Sequence, residues 1–509
     1  MDKMQPIVNA MELPTSWAVV KLGDFVNSEK GKKPLIESNT ETSTHSLPYI
    51  DIQAFEEGVI KSWTDGVGCR LCFDTDFLMV WDGSRSGLVG KGVNGALGST
   101  LVRINFPSMV NDYAFYFLQS KYQQINTRAK GSGTPHVDPD LLWNYQFPIP
   151  PVNEQHRIVA KIEALFSELD KGIESFKTAR EQLKIYRQAL LKHAFSGKLT
   201  EQWRAENAGK LESAETLLQR IQTEREQRYH QQLKDWEVSG KSGSKPKAPK
   251  TLPPLTTEEL AELPELPECW ATIKIDEILS LDKKPMTTGP FGTALKKNEH
   301  RSTGIPVLGI ENIGNGVFLR GNKIFVSEEK GKELESFSVE ANDIVISRSG
   351  TVGEICKVPD SFGKAYISTN LIRVSLNQRV INPDLFVYLF QSGSFVKEQV
   401  KNLCKGSSRE FLNQTILSSL IFPLPGLDEQ NQIVSEIDSR ISMVEQLDQT
   451  ITTALQQAEA LRQSILKKAF SGQLVPQDPN DEPASVLLER IRAEQAVSDK
   501  PKTRKTKHA

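Results

Sequence analysis

The chain has few of the residues that most often carry covalent or metal chemistry. Five cysteines in 509 residues make no disulfide framework, and the one close pair, Cys69 and Cys72, lacks the second ligand pair that a zinc site needs. The seven histidines are scattered, none at metal-ligand spacing from another. No apolar run approaches the length of a membrane span, and the first residues lack a charged-then-apolar signal pattern, so a cytoplasmic protein without membrane contact is expected. Neither sign of charge is in excess. The 62 Lys and Arg stand against 64 Asp and Glu, for a net charge of −2, so any basic surface is local and compensated elsewhere. Phosphate-cradling loops are missing too: Gly90-Lys91-Gly92-Val93-Asn94-Gly95 spells G-x-G-x-x-G, but no helical pattern opens from it, and a hairpin or irregular loop is the better reading. No Walker-type loop is present. Neither a cofactor nor a metal is expected in this chain.

What the chain does have is a repeat. Phe147, Pro148, Pro150, Pro151, Glu154, Gln155 and Ile158 lead to Arg187, Gln188, Ala194, Phe195, Ser196, Gly197 and Leu199. A second copy runs from Phe422, Pro423, Pro425, Glu429, Gln430 and Ile433 to Arg462, Gln463, Ala469, Phe470, Ser471, Gly472 and Leu474. Phe147 and Phe422, like Arg187 and Arg462, are 275 positions apart, so the segment has a fixed length. Ile158, Ile162, Leu165, Leu169, Phe176, Leu183, Tyr186 and Leu190 recur at threes, fours and sevens, one apolar stripe of a helix. Prolines end the preceding strand, and Ser-Gly closes each helix. About 45 residues at 1.5 Å each make a rod of roughly 67 Å, whose narrow stripe needs a partner. The other copy is the nearest one, and the pair is expected as a two-helix coiled coil. Gly172 is a local weakness that the second copy replaces with Leu447.

The repeat is larger than the helix. Leu13-Pro14, Trp17 and Lys21-Leu22 reappear as Leu266-Pro267, Trp270 and Lys274-Ile275, and each opening precedes a domain-sized stretch of short β-like runs. The expected organisation is a first α+β domain over 1–150, a long helix over 151–197, and a short helix with a Lys/Pro/Ser-rich linker over 198–265. A second domain follows over 266–425, a second long helix over 426–472, and a short helix with a basic tail over 473–509. Residues up to about 12 read as a leader. Leu217–Ile221 has an echo in Leu487–Ile491.

Two paired loops invite a binding role. Ser84-Arg85-Ser86-Gly87 and Ser347-Arg348-Ser349-Gly350 each put an arginine between hydroxyls after an apolar strand, and the glycine allows close approach. Arginine reads guanine bidentately, and serine holds phosphate; alternatively the arginine only pairs with a carboxylate. A second loop contains Lys130, Ser132, Thr134 and His136, and it aligns at the same offset with Lys405, Ser407, Ser408 and Arg409. Lysine beside small hydroxyl residues suits phosphate, although a turn leading into the last strand would read the same way. Lys91 is a further candidate contact. Phe195 and Phe470, with the short helices beyond them, are expected to form a docking surface for another subunit.

With these motifs in place, the chain resembles the specificity (S) subunits of type I restriction-modification systems. The F-P-x-P-x-x-x-E-Q-x-x-I opening and the A-F-S-G-x-L close occur twice, each copy behind a variable domain, and the match spans nearly the whole chain. The resemblance implies two target-recognition domains, each reading one half of a bipartite double-stranded DNA target. It also implies that the helices pair antiparallel, with internal pseudo-two-fold symmetry, and set the gap. The expected partners are two modification subunits that use S-adenosylmethionine and two motor-nuclease subunits that use ATP and Mg; the chain itself would be non-catalytic. Two other readings are an autonomous methyltransferase or nuclease, which lacks its motifs here, and a coiled-coil scaffold whose flanking domains bind protein.

Overall fold

The computed structural model describes residues 13–106, 109–131, 133–248, 255–256, 265–281, 283–291, 294–392, 396–404 and 411–498. The expected leader and basic tail therefore lie outside the described residues. The chain forms two compact units, one of residues 1–177 with 451–509, the other of residues 178–450. Each unit thus contains one α+β domain, the start of the helix that follows it, and the end of the other long helix.

In the first unit, the strand Ala18–Lys21 pairs antiparallel with Gln146–Ile149, tying the start of the domain to the entry of the long helix. One four-stranded sheet has the order Asn27–Lys30, Leu101–Asn105, Phe77–Val80, Val89–Lys91. The other has the order Trp63–Thr64, Leu47–Ile50, Gly95–Leu97, Leu71–Cys72. Its central pair is parallel, Tyr49 opposite Ala96. The glycines of the G-x-G-x-x-G run serve this packing, since a Cβ on Gly92 would lie 2.0 Å from the Phe73 carbonyl and one on Gly95 2.5 Å from that of Pro48. The helix Asn111–Thr127 closes the core, where Phe77, Phe106, Tyr113, Phe117 and Phe147 meet ring to ring.

The second unit repeats both four-stranded sheets and adds a short hairpin, Ile313–Gly314 with Val317–Phe318. Met286–Thr288, Leu371–Val374, Ile344–Ser347 and Ile355–Lys357 make one sheet; Ile324–Val326, Ile305–Leu308, Ala365–Ile367 and Ser338–Val339 make the other. The parallel pair recurs, with Val307 opposite Tyr366, and Ala271–Lys274 pairs with Ile421–Leu424. Pro148 and Pro423 sit inside these two-stranded ribbons rather than ending them. An edge position needs no N–H from them.

The long helices run from Val152 to Phe195 and from Leu427 to Ala469. They are antiparallel: in the first unit Arg462 pairs with Asp170, and in the second Arg180 pairs with Asp448 at 2.8 Å. The Glu-Gln of the repeated motif locks each helix in place. The Glu154 carboxylate accepts Trp17 Nε1–H at 3.0 Å and Gln477 at 2.5 Å. Glu429 accepts Trp270 Nε1–H at 2.8 Å, the Thr200 hydroxyl at 2.7 Å, and Arg204. Gln155 and Gln430 each donate to the proline carbonyl five residues back, at 2.9 Å. The segment after one helix therefore closes onto the opening Trp and the motif Glu of the other.

Two expectations need correction. Phe195 is buried in the core of the second unit, and Phe470 packs on Tyr113 and Phe117 with centroids 5.2 Å away. The helix ends are anchors inside each unit and do not form an open docking surface, because the apolar domain cores cover them. The short helix after the first rod is also longer than its apolar motif suggested, running from Ala214 to Val238. Its later turns carry mostly charged residues and leave no stripe to detect.

Candidate nucleic-acid interface

In each domain the backbone brings the loop after the central apolar strand against the loop before the long helix. In the first domain Val137 N–H donates to the Trp81 carbonyl at 2.9 Å, and Gly83 N–H to that of Pro135 at 2.8 Å. In the second, Leu412 N–H donates to the Arg348 carbonyl at 3.0 Å. Asn126 fastens the first loop further, donating from its side chain to the carbonyls of Ser84 and Ser86.

The same hydrogen bonds correct the alignment of the two Ser-Arg-Ser-Gly tetrapeptides. Gly87 N–H donates to Val80 and Val80 N–H to Leu88; in the second domain Gly353 donates to Ser347 and Ser347 to Glu354. Trp81 N–H donates to Thr100 as Arg348 N–H does to Asn370. The position equivalent to Arg348 is therefore Trp81, and Ser84–Gly87 lies four residues out of register with Ser347–Gly350. Identical letters gave a false register, because strand pairing rather than loop composition sets equivalence.

The candidate side chains have unlike surroundings. Ser84 and Arg85 are exposed, and the Arg85 guanidinium forms an ion pair with the largely buried Glu56 carboxylate. Ser86 is buried, its hydroxyl without a hydrogen-bond partner. Lys91 lies opposite Phe77, at the other end of its strand pair from the loop, and pairs with Asp112. Lys130 pairs with Asp138 at 2.9 Å, which raises the lysine pKa and lowers that of the carboxyl. Lys130 also exchanges backbone bonds with His136, at 2.9 and 2.8 Å. Thr134 is exposed at the loop tip and His136 is half-buried.

In the second domain Ser347 is buried, donating to the Ser349 carbonyl at 3.1 Å, while Ser349 donates to Asn370 at 3.0 Å. Arg348 is only 5% exposed, and its guanidinium carbon lies 4.6 Å from the Phe291 ring centroid and 3.9 Å from that of Phe411. Ser132, Lys405, Ser407, Ser408 and Arg409 fall outside the described residues. Motif reading did not single out Trp81, Glu56, Phe291 or Phe411. Phe411 alone had a signal, standing 275 positions after His136.

Residues 14–175 and 267–457 match the family described as the type I restriction modification DNA specificity domain. The chain belongs to that family. The type I restriction enzyme MjaVIII specificity subunit of Methanocaldococcus jannaschii is 23% identical to it over 92% of this chain and 95% of its own. The EcoBI specificity subunit of Escherichia coli is 22% identical over 99% and 97%. A chain from a structural study of complex assembly and conformational transition in the type I R-M system has the same fold. It is 18% identical, with a TM-score of 0.61, over 91% of this chain and all of that one. As a type I specificity subunit, the chain is a non-catalytic DNA-recognition component that directs partner methyltransferase and nuclease subunits. Among the described residues no helix is long and apolar enough to cross a membrane, and no cluster of three or more metal-capable side chains occurs. Cys69, Cys72, Cys269 and Cys356 are free thiols, and burial pushes Cys72 up to about 12.

Proposed function

We propose that each α+β domain reads one half of an asymmetric two-part DNA target through its joined strand-end and pre-helix loops. In this reading residues 1–150 and 266–425 are the two readers. Two modification subunits supply adenine methylation with S-adenosylmethionine, and two motor-nuclease subunits supply ATP- and Mg-dependent restriction. Ser84, Arg85, Thr134, His136, Arg348 and Ser349 face the DNA in this reading, with Lys130 toward phosphate; the buried Ser86 and Ser347 shape the loops from behind. The observation that carries it is the same loop-to-loop backbone clamp in both domains, displaying Trp81 in one and Arg348 in the other. One scaffold with different side chains at its display position is what reading two different half-sites requires.

The test is to co-express the chain with its modification subunit in cells free of adenine methylation and map modified adenines across the genome. A single asymmetric two-part motif with a fixed gap is expected. A symmetric motif, or soluble associated subunits that leave the genome unmodified, would overturn the reading.

A further inference from the structure

Among the described candidate cations, Arg348 stands apart in its charge balance. In the first domain Arg85, Lys91 and Lys130 each have a carboxylate partner, and Lys30 pairs with Asp82 at 2.7 Å. Arg348 is buried without one among the described residues. Among the described residues its Nε–H has no hydrogen-bond partner, and its one side-chain hydrogen bond runs from Nη1 to the Thr369 carbonyl at 3.4 Å. Desolvation by burial lowers its pKa.

Arg373, equally buried, shows what a structural arginine of this fold looks like. Its Nε–H is unpartnered too among the described residues, but its Nη donors reach the carbonyls of Ser338 and Lys284 and the Thr287 hydroxyl, three bonds against the single long one of Arg348. A buried cation left short of acceptors destabilises the fold that carries it, and such violations of local consistency mark functional sites. The cover over Arg348 is aromatic and partly open to solvent, with Phe291 59% and Phe411 39% exposed. These rings hold the guanidinium by cation–π attraction without using its donors.

We infer that Arg348 makes the decisive base contact of the second recognition domain, its free donors taking the paired acceptors of a guanine edge, and that Arg85 has no such role in the first. This deepens the proposed function and rests on it. Guanine O6 and N7 form the acceptor pair that matches an arginine fork in the major groove, and a lysine presents no such fork. Phe291 and Phe411 orient the fork, so they act as positioning residues. Arg85, neutralised by Glu56 and four positions out of register, adds at most a weak contact.

The test uses the complex with the modification subunit and genome-wide adenine mapping for wild type, Arg348→Met, Arg348→Lys and Arg85→Met. Arg348→Met and Arg348→Lys are each expected to relax one guanine position in one half-site by roughly tenfold or more, leaving the other half intact. Arg85→Met should relax no base position, and any methylation it loses should be uniform over all sequences. Because Met fills the space without an unpaired charge, Arg348→Met should unfold at the wild-type temperature or above it, a result that a merely structural arginine would not give. Three outcomes in Arg348→Met overturn the inference: an unchanged motif, a loss of methylation uniform over all sequences as for a phosphate contact, or a lowered unfolding temperature. Absence of a two-part motif in the wild type would overturn the proposed function itself, and this inference with it.

Discussion

Glu154 and Glu429 occupy the same place in the two copies of the repeated motif, and both are buried. Their electrostatic surroundings differ. Glu429 has Arg204 as well as Trp270 and Thr200 on its oxygens. Removing it by Glu429→Ala strands the guanidinium, the indole N–H and the hydroxyl together, and a loss of about 3–5 kcal/mol in unfolding free energy is expected from denaturant titration. Among the described residues Glu154 has only neutral donors on its oxygens, and burial raises its pKa, partly offset by Gln477, Trp17 and Arg157. A carboxyl raised in the folded state stays protonated where the unfolded chain has ionised. Its full stability is therefore present below the ordinary glutamate pKa and declines as pH rises through the folded value. Glu154→Gln removes that decline. Its unfolding temperature should gain on the wild type as pH rises above the ordinary glutamate pKa, and a difference that does not change with pH would show that burial does not raise the Glu154 pKa. The repeated Glu was legible in the sequence; its unlike partners were not, since Arg204 and Gln477 lie 225 and 323 residues away from the glutamates they bind.

Elements show how the same substitution takes opposite signs. Gly172 lies inside a long helix with nothing near the position of a Cβ, so Gly172→Ala should stabilise by about 0.5–1 kcal/mol through backbone entropy. Gly197 ends that helix at φ +75°, and a Cβ there would lie 2.4 Å from Pro267 Cγ. Gly472 repeats the arrangement against Pro14. Gly197→Ala should cost about 1–2 kcal/mol for the left-handed backbone alone, and more from the clash. Thermal unfolding of the two variants checks both signs. The helices were readable to within three residues because their stripe is local and their offset constant. The loop register was not readable, because the strand hydrogen bonds that set it are non-local.

For the whole molecule, the relevant fact is that two helices of nearly equal length pair antiparallel through Asp170–Arg462 in one unit and Arg180–Asp448 in the other. Removing about four residues, roughly one turn, from one helix between residues 170 and 180 prevents both pairs from forming in one register. Methylation is expected to fail or to shift to a motif with a different gap. Removing the matching turn from both helices should restore methylation with an altered gap, as adenine mapping of the co-expressed complex will report. Methylation at the original gap after the one-sided deletion would sink the spacing role.

The sequence by itself determined the duplication, the length and phase of the helices, the α+β character of the domains and the family, all of which are written in short-range periodicity and a constant offset. Only the tertiary structure decided that Trp81 and not Arg85 stands where Arg348 stands, that Phe195 lies in one core and Phe470 packs against the other, and that Arg348, alone of the described candidate cations, is buried without a counter-charge. The physical reason is that burial and charge compensation are properties of neighbours in space. In this fold those neighbours come from strands, loops and tails that the chain keeps far apart.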